Sequence, residues 1–234
     1  MNRTVYIAGV RGLLSLIILM ICGSGFTVQA SGKADLAKFF KDLKGFSATF
    51  EQQVQNPQLS VTDQASGKLW IDRPGKFRWD YQQPYQQQII SNGLRIWIYD
   101  VDLEQVTVKE FDDTVGQTPA LLLSSEEPLE TSFRIKESGE LEGLNWVILF
   151  SKNQDAGFTS IQLGFKDGVL AEMWLKDNLD QTTQLVLKDV KRNPKMAASM
   201  FELDVPETVD IYDAAAEVES EAGSVSTPDD LDDL

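Results

Sequence analysis

Gly67-Lys68-Leu69-Trp70-Ile71-Asp72-Arg73-Pro74-Gly75-Lys76-Phe77-Arg78-Trp79-Asp80-Tyr81 is an alternating run broken by one Pro-Gly pair. With a period of two, Leu69, Ile71 and Arg73 fall on one face of a strand, and Phe77, Trp79 and Tyr81 share one face of the next. If the Pro74-Gly75 turn keeps the two strands in register, a single guanidinium points into a concave surface that is otherwise apolar and aromatic. A cation there needs acceptors, because burying it unpaired is costly. An ion pair with Asp72 or Asp80 is one way to supply them.

The same alternation continues on both sides of this hairpin. Phe46, Ala48 and Phe50 begin an earlier strand. Further strands are predicted over 66–73, 76–81, 86–91, 94–100, 104–110, 131–137, 144–151, 158–165, 169–176 and 181–191. Short links such as Asn92-Gly93, Asp167-Gly168 and Asn178-Leu179-Asp180 favour tight hairpins, so the sheet is predicted to be a mostly antiparallel meander. Strand 144–151 sets Trp146, Ile148 and Phe150 against Val147 and Leu149, which predicts a central strand covered on both faces. Strand 94–100 sets Ile96 and Ile98 against Trp97 and Tyr99. Leu36, Phe39, Phe40 and Leu43 recur at helical spacing and predict a helix over 34–44, ended by Gly45. The strands pause at 112–130. There Thr118 can cap a helix, Pro119 suits its first turn, and Ala120-Leu121-Leu122-Leu123 is strongly apolar. A second short helix is predicted to start at Pro128-Leu129-Glu130. Such an insertion suits either a lid over the concave face or a plug at the sheet end.

The two ends of the chain differ from its body. Arg3 and Arg11, the apolar run Leu13–Ile21 and the small residues before Ser31 read as a secretory signal peptide over 1–30, cleaved near Ala30. The body is predicted over 31–212. From Asp213 to Leu234 come eight acidic residues and no basic one, an expected disordered acidic tail. The formal charge is -15, and -17 once Arg3 and Arg11 are removed, which argues against nucleic acid as a partner. There is no histidine, and the single cysteine, Cys22, lies inside the signal. The usual nucleophile–base pairs and transition-metal ligands are therefore missing from the mature chain, and no cofactor or metal is expected. The carboxylates Asp100 and Asp102, or Asp112 and Asp113, are what a hydrolase would have to use, and paired acids at strand ends are more often solvated turns.

Four pieces, 36–52, 67–79, 91–99 and 118–123, resemble in order and spacing the LolA family of periplasmic outer-membrane lipoprotein carriers. The most specific is the Leu69-Trp70…Arg73-Pro74…Phe77…Trp79 pattern, and the similarity runs from about Asp35 to about Val209. The resemblance implies a mainly β fold, an unclosed antiparallel barrel of about eleven strands with a helical lid over its concave apolar face. It implies a monomeric, non-enzymatic carrier in the periplasm. Such a carrier receives acylated lipoproteins from the inner-membrane LolCDE ABC transporter and hands them to the outer-membrane receptor LolB. By the same resemblance, Arg73 is the latch, and Phe40, Leu123 and Ser124 supply the lid carbonyls that it bonds. Phe77 is the residue at the mouth that meets a partner. Leu69, Ile71, Trp79, Tyr81, Trp97, Leu121 and Leu122 are the candidates for the acyl-chain cavity and lid. Two other readings belong to the same fold space. A LolB-like receptor needs a lipidated cysteine, and Ile21 before Cys22 is a poor context for one. A lipid-sensing regulator would favour a further C-terminal domain.

Overall fold

In the computed structural model, the Gly67–Tyr81 run folds as its alternation demands. β2 (Val61–Asp72) and β3 (Lys76–Gln83) form an antiparallel hairpin. Leu69 stands opposite Trp79, and Ile71 opposite Phe77. The structure describes residues 31–111, 119–153 and 156–213. The predicted signal peptide with Cys22, the Thr118 cap, Asp112 and Asp113, and all of the acidic tail after Asp213 lie outside the described residues.

Around the hairpin are β1 (Gly45–Gln55), β4 (Gln87–Asn92), β5 (Arg95–Asp100) and β6 (Gln105–Glu110). The second half of the chain adds β7 (Phe133–Leu141), β8 (Leu144–Ser151), β9 (Phe158–Lys166), β10 (Val169–Asp177), β11 (Thr182–Arg192) and β12 (Asp210–Asp213). All twelve strands join in one sheet of order β12-β6-β5-β4-β3-β2-β1-β11-β10-β9-β8-β7. Two antiparallel meanders are thus sewn together along the β1–β11 pair. The sheet does not close, since β7 and β12 are its edges. The count exceeds the expected eleven by β12, a short strand running parallel to β6.

Among the described residues three short α-helices accompany the sheet, α1 (Gly32–Phe40), α2 (Pro119–Ser124) and α3 (Leu129–Ser132), with a 3-10 turn at Ala198–Phe201. α1 starts at Ser31, whose hydroxyl accepts the Ala34 N–H at 3.2 Å, and it lies across β7–β10. It ends four residues before the predicted Lys44. Lys41 is already extended and Asp42 adopts φ +54°, so the chain turns there. Gly45 therefore serves β1 and not the helix end. Its backbone runs so close to β2 that an added Cβ would sit 2.2 Å from the Ile71 oxygen. α2 lies across β2 and β3. No described helix is long and apolar enough to cross a membrane.

Strand 144–151 forms as predicted, but it is the second strand from an edge and not a central one. Its two apolar faces have separate covers. Val147 and Leu149 are fully buried in the main core, under α1. Trp146 is buried on the outer face, with its ring centroid 4.7 Å from that of Trp174. At the other end of the sheet, Tyr99, Val106, Val108 and Val209 form a second, small outer cluster with Trp97, Leu203 and Val205 packed on it. The segment after β11 is pinned beneath β3 by Arg78, which donates to the Met200 carbonyl at 3.4 Å and pairs with Asp80 at 2.9 Å. Burial raises the Asp80 carboxyl above its ordinary pKa, against the pull of Arg78 and Lys68.

Candidate functional site

The β2–β3 turn is where the sheet meets the helices. The Arg73 N–H donates to the Lys44 carbonyl at 2.7 Å, which ties the turn to the chain leaving α1. The Arg73 side chain then reaches in two directions. Nη1 donates to the Leu43 carbonyl at 3.2 Å, and Nη2 donates to the Ser125 carbonyl just past α2. The guanidinium carbon lies 5.4 Å from the centre of the Phe40 ring, over its face. Two residues on, the Gly75 N–H donates to the Ser124 carbonyl at 3.0 Å. A single turn thus holds both the exit of α1 and the end of α2. Burial lowers the Arg73 pKa, and the nearby carboxylate of Glu126 acts in the opposite direction. A guanidinium remains charged regardless.

Arg73 points inward as the alternation predicts, but its acceptors are not the expected ones. Phe40 contributes its ring, and its carbonyl accepts the Leu43 N–H at 3.2 Å. The Ser124 carbonyl is taken by Gly75, and Ser125 and Leu43 replace Leu123, Ser124 and Phe40 as acceptors for Arg73. The reason lies in where the helices stop. Carbonyls of the last turn and just beyond it are the groups left to accept an outside donor. Neither Asp72 nor Asp80 pairs with Arg73: among the described residues Asp80 is engaged by Arg78.

α2 is a lid of apolar bulk. Ala120, Leu121, Leu122, Leu123 and Ser124 are all buried. Beneath one end of it lies a cavity of about 450 Å3, lined among others by Phe77, Trp79, Tyr81, Ile96, Leu121 and Phe158. Leu69, Ile71 and Leu122 are fully buried in the adjoining core and form its support, not its lining. Tyr81 stands at the more polar end, where its hydroxyl donates to Gln52 Oε1 at 3.2 Å. Burial and the charge of Asp63 push its pKa up to about 12. A second cleft of about 620 Å3 adjoins Arg73, between Leu36, Phe40 and Leu43 on one side and Leu129 and Ile135 on the other.

Two expected site residues sit elsewhere. Phe77 is 1% exposed and lines the cavity beneath α2, so its side chain is not presented on the outer surface. It shares its face with Trp79, and α2 lies over that face. Trp97 is on the outer face of β5 with the second cluster, while its neighbours Ile96 and Ile98 line the cavity. Period two places it there. Sequence reasoning missed Leu43 and Ser125, which act through backbone carbonyls and carry no side-chain signal. It also missed Ile89 and Phe158 as cavity walls, although both are apolar residues in predicted strands.

The family model described as "Outer membrane lipoprotein carrier protein LolA" matches residues 41–204. The outer-membrane lipoprotein carrier protein of Nitrosomonas europaea is 39% identical over 200 residues, covering 85% of this chain and 97% of the relative. That of Methylococcus capsulatus is 38% identical over 200 residues, covering 85% and 96%. Among solved structures, an uncharacterized conserved protein from Thermus thermophilus shares the fold, with a TM-score of 0.50 and 12% identity over 77% of this chain and 98% of that one.

Proposed function

We propose a working cycle from one premise: this chain belongs to the LolA family of outer-membrane lipoprotein carriers, and its function is to carry lipoproteins. In that cycle the mature protein starts near Ser31 and works in the periplasm. It takes lipoproteins from LolCDE at the inner membrane and passes them to LolB at the outer membrane. The work is transport, with no chemical step.

Burial of an acyl chain contributes about 0.8 kcal/mol per CH₂, so several chains together exceed roughly 18–21 kcal/mol, the practical ceiling of non-covalent binding. A carrier that bound them at full strength would not let go. The covered cavity of about 450 Å3 is the size of a single small-ligand pocket. Loading several chains must therefore displace α2 and enlarge it. Displacing α2 breaks the Arg73–Ser125 and Gly75–Ser124 bonds. A hydrogen bond to a charged group is worth about 1.5–3 kcal/mol, so the latch lowers net cargo affinity and favours transfer to a receptor without one.

The observation that carries this reading is the Arg73 guanidinium bonded at once to the exit of α1 and the end of the lid. Two experiments test it. Mature protein added to spheroplasts should release lipoproteins into the medium as a soluble complex, and no release would overturn the carrier reading for this chain. Arg73→Leu should load as well as the parent and transfer poorly to LolB in a purified system. Normal transfer would remove the latch from the cycle.

A further inference from the structure

The cavity beneath α2 is mostly apolar, with Gln52, Lys109, Asp177 and Thr183 among its lining, and one of its aromatic walls carries a hydrogen-bond donor with nothing to bond. Trp79 is 4% exposed, and its indole Nε1 is buried without an acceptor among the described residues. Its rings pack against Phe50 and Tyr81, with centroids at 5.1 and 6.4 Å, and its cross-strand partners are Leu69 and Ile89. Buried polar groups are normally satisfied; the Trp79 ring lines the cavity while Nε1 itself has no open surface with α2 in place, so an acceptor brought by the ligand reaches it only once loading has enlarged the cavity. The only other buried side-chain polar atom without a partner among the described residues is Arg73 Nε, also an N–H and in the same hairpin. Both orphans are donors.

An acyl chain is a hydrocarbon that ends in a carbonyl, so it supplies acceptors and no donor at that end. We propose that the Trp79 indole N–H meets this match by donating to an ester carbonyl of the bound lipid. The cavity then recognises acyl groups and not merely alkyl chains. Tyr81 and Gln52 bond each other at the polar end of the cavity, which leaves Trp79 as the free donor among the aromatic residues there. A phenylalanine or leucine at position 79 would fill the wall as well, without this chemistry. The inference rests on the lipoprotein-carrier reading and adds a specificity element to it.

Its test compares two synthetic probes of equal chain length on the full mature protein. One is a triacylated cysteinyl peptide, and the other is its ether analogue, in which the ester carbonyls are replaced by CH₂. The parent should prefer the ester probe by about three- to tenfold, as expected for one hydrogen bond. Trp79→Phe should erase that preference, losing affinity for the ester probe only. In ¹⁵N-labelled parent protein, the Trp79 indole N–H signal, assigned by its absence in Trp79→Phe, should move downfield with the ester probe and not with the ether probe. Equal binding of both probes with an unmoved indole signal would overturn the donor role and leave the carrier reading standing. If neither probe bound, both would fall. Should Trp79→Phe fail to fold, the indole signal, assigned through a Phe50→Leu shift instead, decides the matter on the parent alone.

Discussion

The two halves of this sheet are covered in different ways. Over β7–β10, α1 sits on a filled core: Phe39, Val147, Leu149, Leu163 and Phe165 have no exposed surface. α1 is also fastened along its length. Glu137 accepts the Gly32 and Lys33 N–H groups at 2.6 and 3.1 Å, Asn145 bonds Asp35 at 2.7 Å, and Arg192 donates to the Phe39 and Lys41 carbonyls at 3.0 and 2.7 Å. Over β2 and β3 the cover is α2, six residues long, and the cavity beneath one end of it is lined on β4 and β5 by Ile89, Ile96 and Ile98, only half-buried. A helix this short has no stability of its own and depends on what it packs against. Its last turn is tied down by two bonds from one turn, those of Gly75 and Arg73. The contrast separates a permanent core from a replaceable one. In the proposed cycle the first half holds the fold, and the second exchanges protein side chains for lipid.

The sharpest way to break that contrast is to cut equivalent side chains on the two sides. Phe39→Ala, which empties the contact of α1 with Phe46 and Phe165, should lower stability in urea unfolding by about 3–5 kcal/mol. Leu122→Ala, equally buried but on α2, should lose less than half as much, because α2 can leave the sheet without unfolding it. Equal losses would mean that both helices belong to one cooperative core. The second largest effect is local. In Arg73→Leu the amides of α2 should exchange with solvent about ten to a hundred times faster, the equivalent of one charged hydrogen bond. The amides of α1 should not change. Hydrogen exchange read by mass spectrometry or NMR distinguishes the two, and uniform acceleration would count against a hinged lid.

How far the site could be read from residues follows the same division. The Gly67–Tyr81 register and the inward Arg73 were legible because a period-two pattern fixes which side chains share a face. The start of β2 was not, since Val61–Gln64 is exposed and mostly polar and pairs through its backbone. Nor was β12, four residues whose place beside β6 depends on the segment that crosses the outer face. Arg73 needed acceptors, and that was legible too. Which carbonyls it found depends on where α1 and α2 stop, and the positive φ of Asp42 sets the first of these. The outward face of Trp97 was present in its alternation with Ile96 and Ile98. A large aromatic side chain suits a lipid cavity so well that residue type outweighed parity.

Tyr81 gives a third, smaller way to sharpen the comparison, because it reports whether the lid half is dry. Its folded pKa is about 12, above the ordinary value of 10.0, and burial is the main cause. The neutral phenol is therefore favoured in the fold. The stability this contributes is fully present below about pH 10 and is lost as the pH rises towards 12, as the unfolded chain ionises first. By pH 11 the loss should reach about 1.4 kcal/mol, and Tyr81→Phe should remove that part of the pH dependence. Unfolding followed between pH 9 and 12 measures it. An unchanged slope in the variant would show that water already fills the cavity lip around Tyr81.

The smallest expected effect is the most selective. Gly75 has φ +73°, and an added Cβ would stand 3.1 Å from Gly93 Cα and 3.3 Å from the Phe111 ring. Gly75→Ala should therefore cost about 1 kcal/mol, from the left-handed backbone and the crowding together. What matters is where that strain is relieved. The turn can relax by tilting away from Gly93, and the Gly75 N–H then loses its line to Ser124 and the Arg73 side chain its reach to Ser125. Both bonds hold α2, while α1 keeps Glu137, Asn145 and Arg192. Exchange at α2 should rise about fivefold while α1 stays as it is. If the two helices instead loosen together, the turn is a brace for the whole sheet and the lid has no separate hinge.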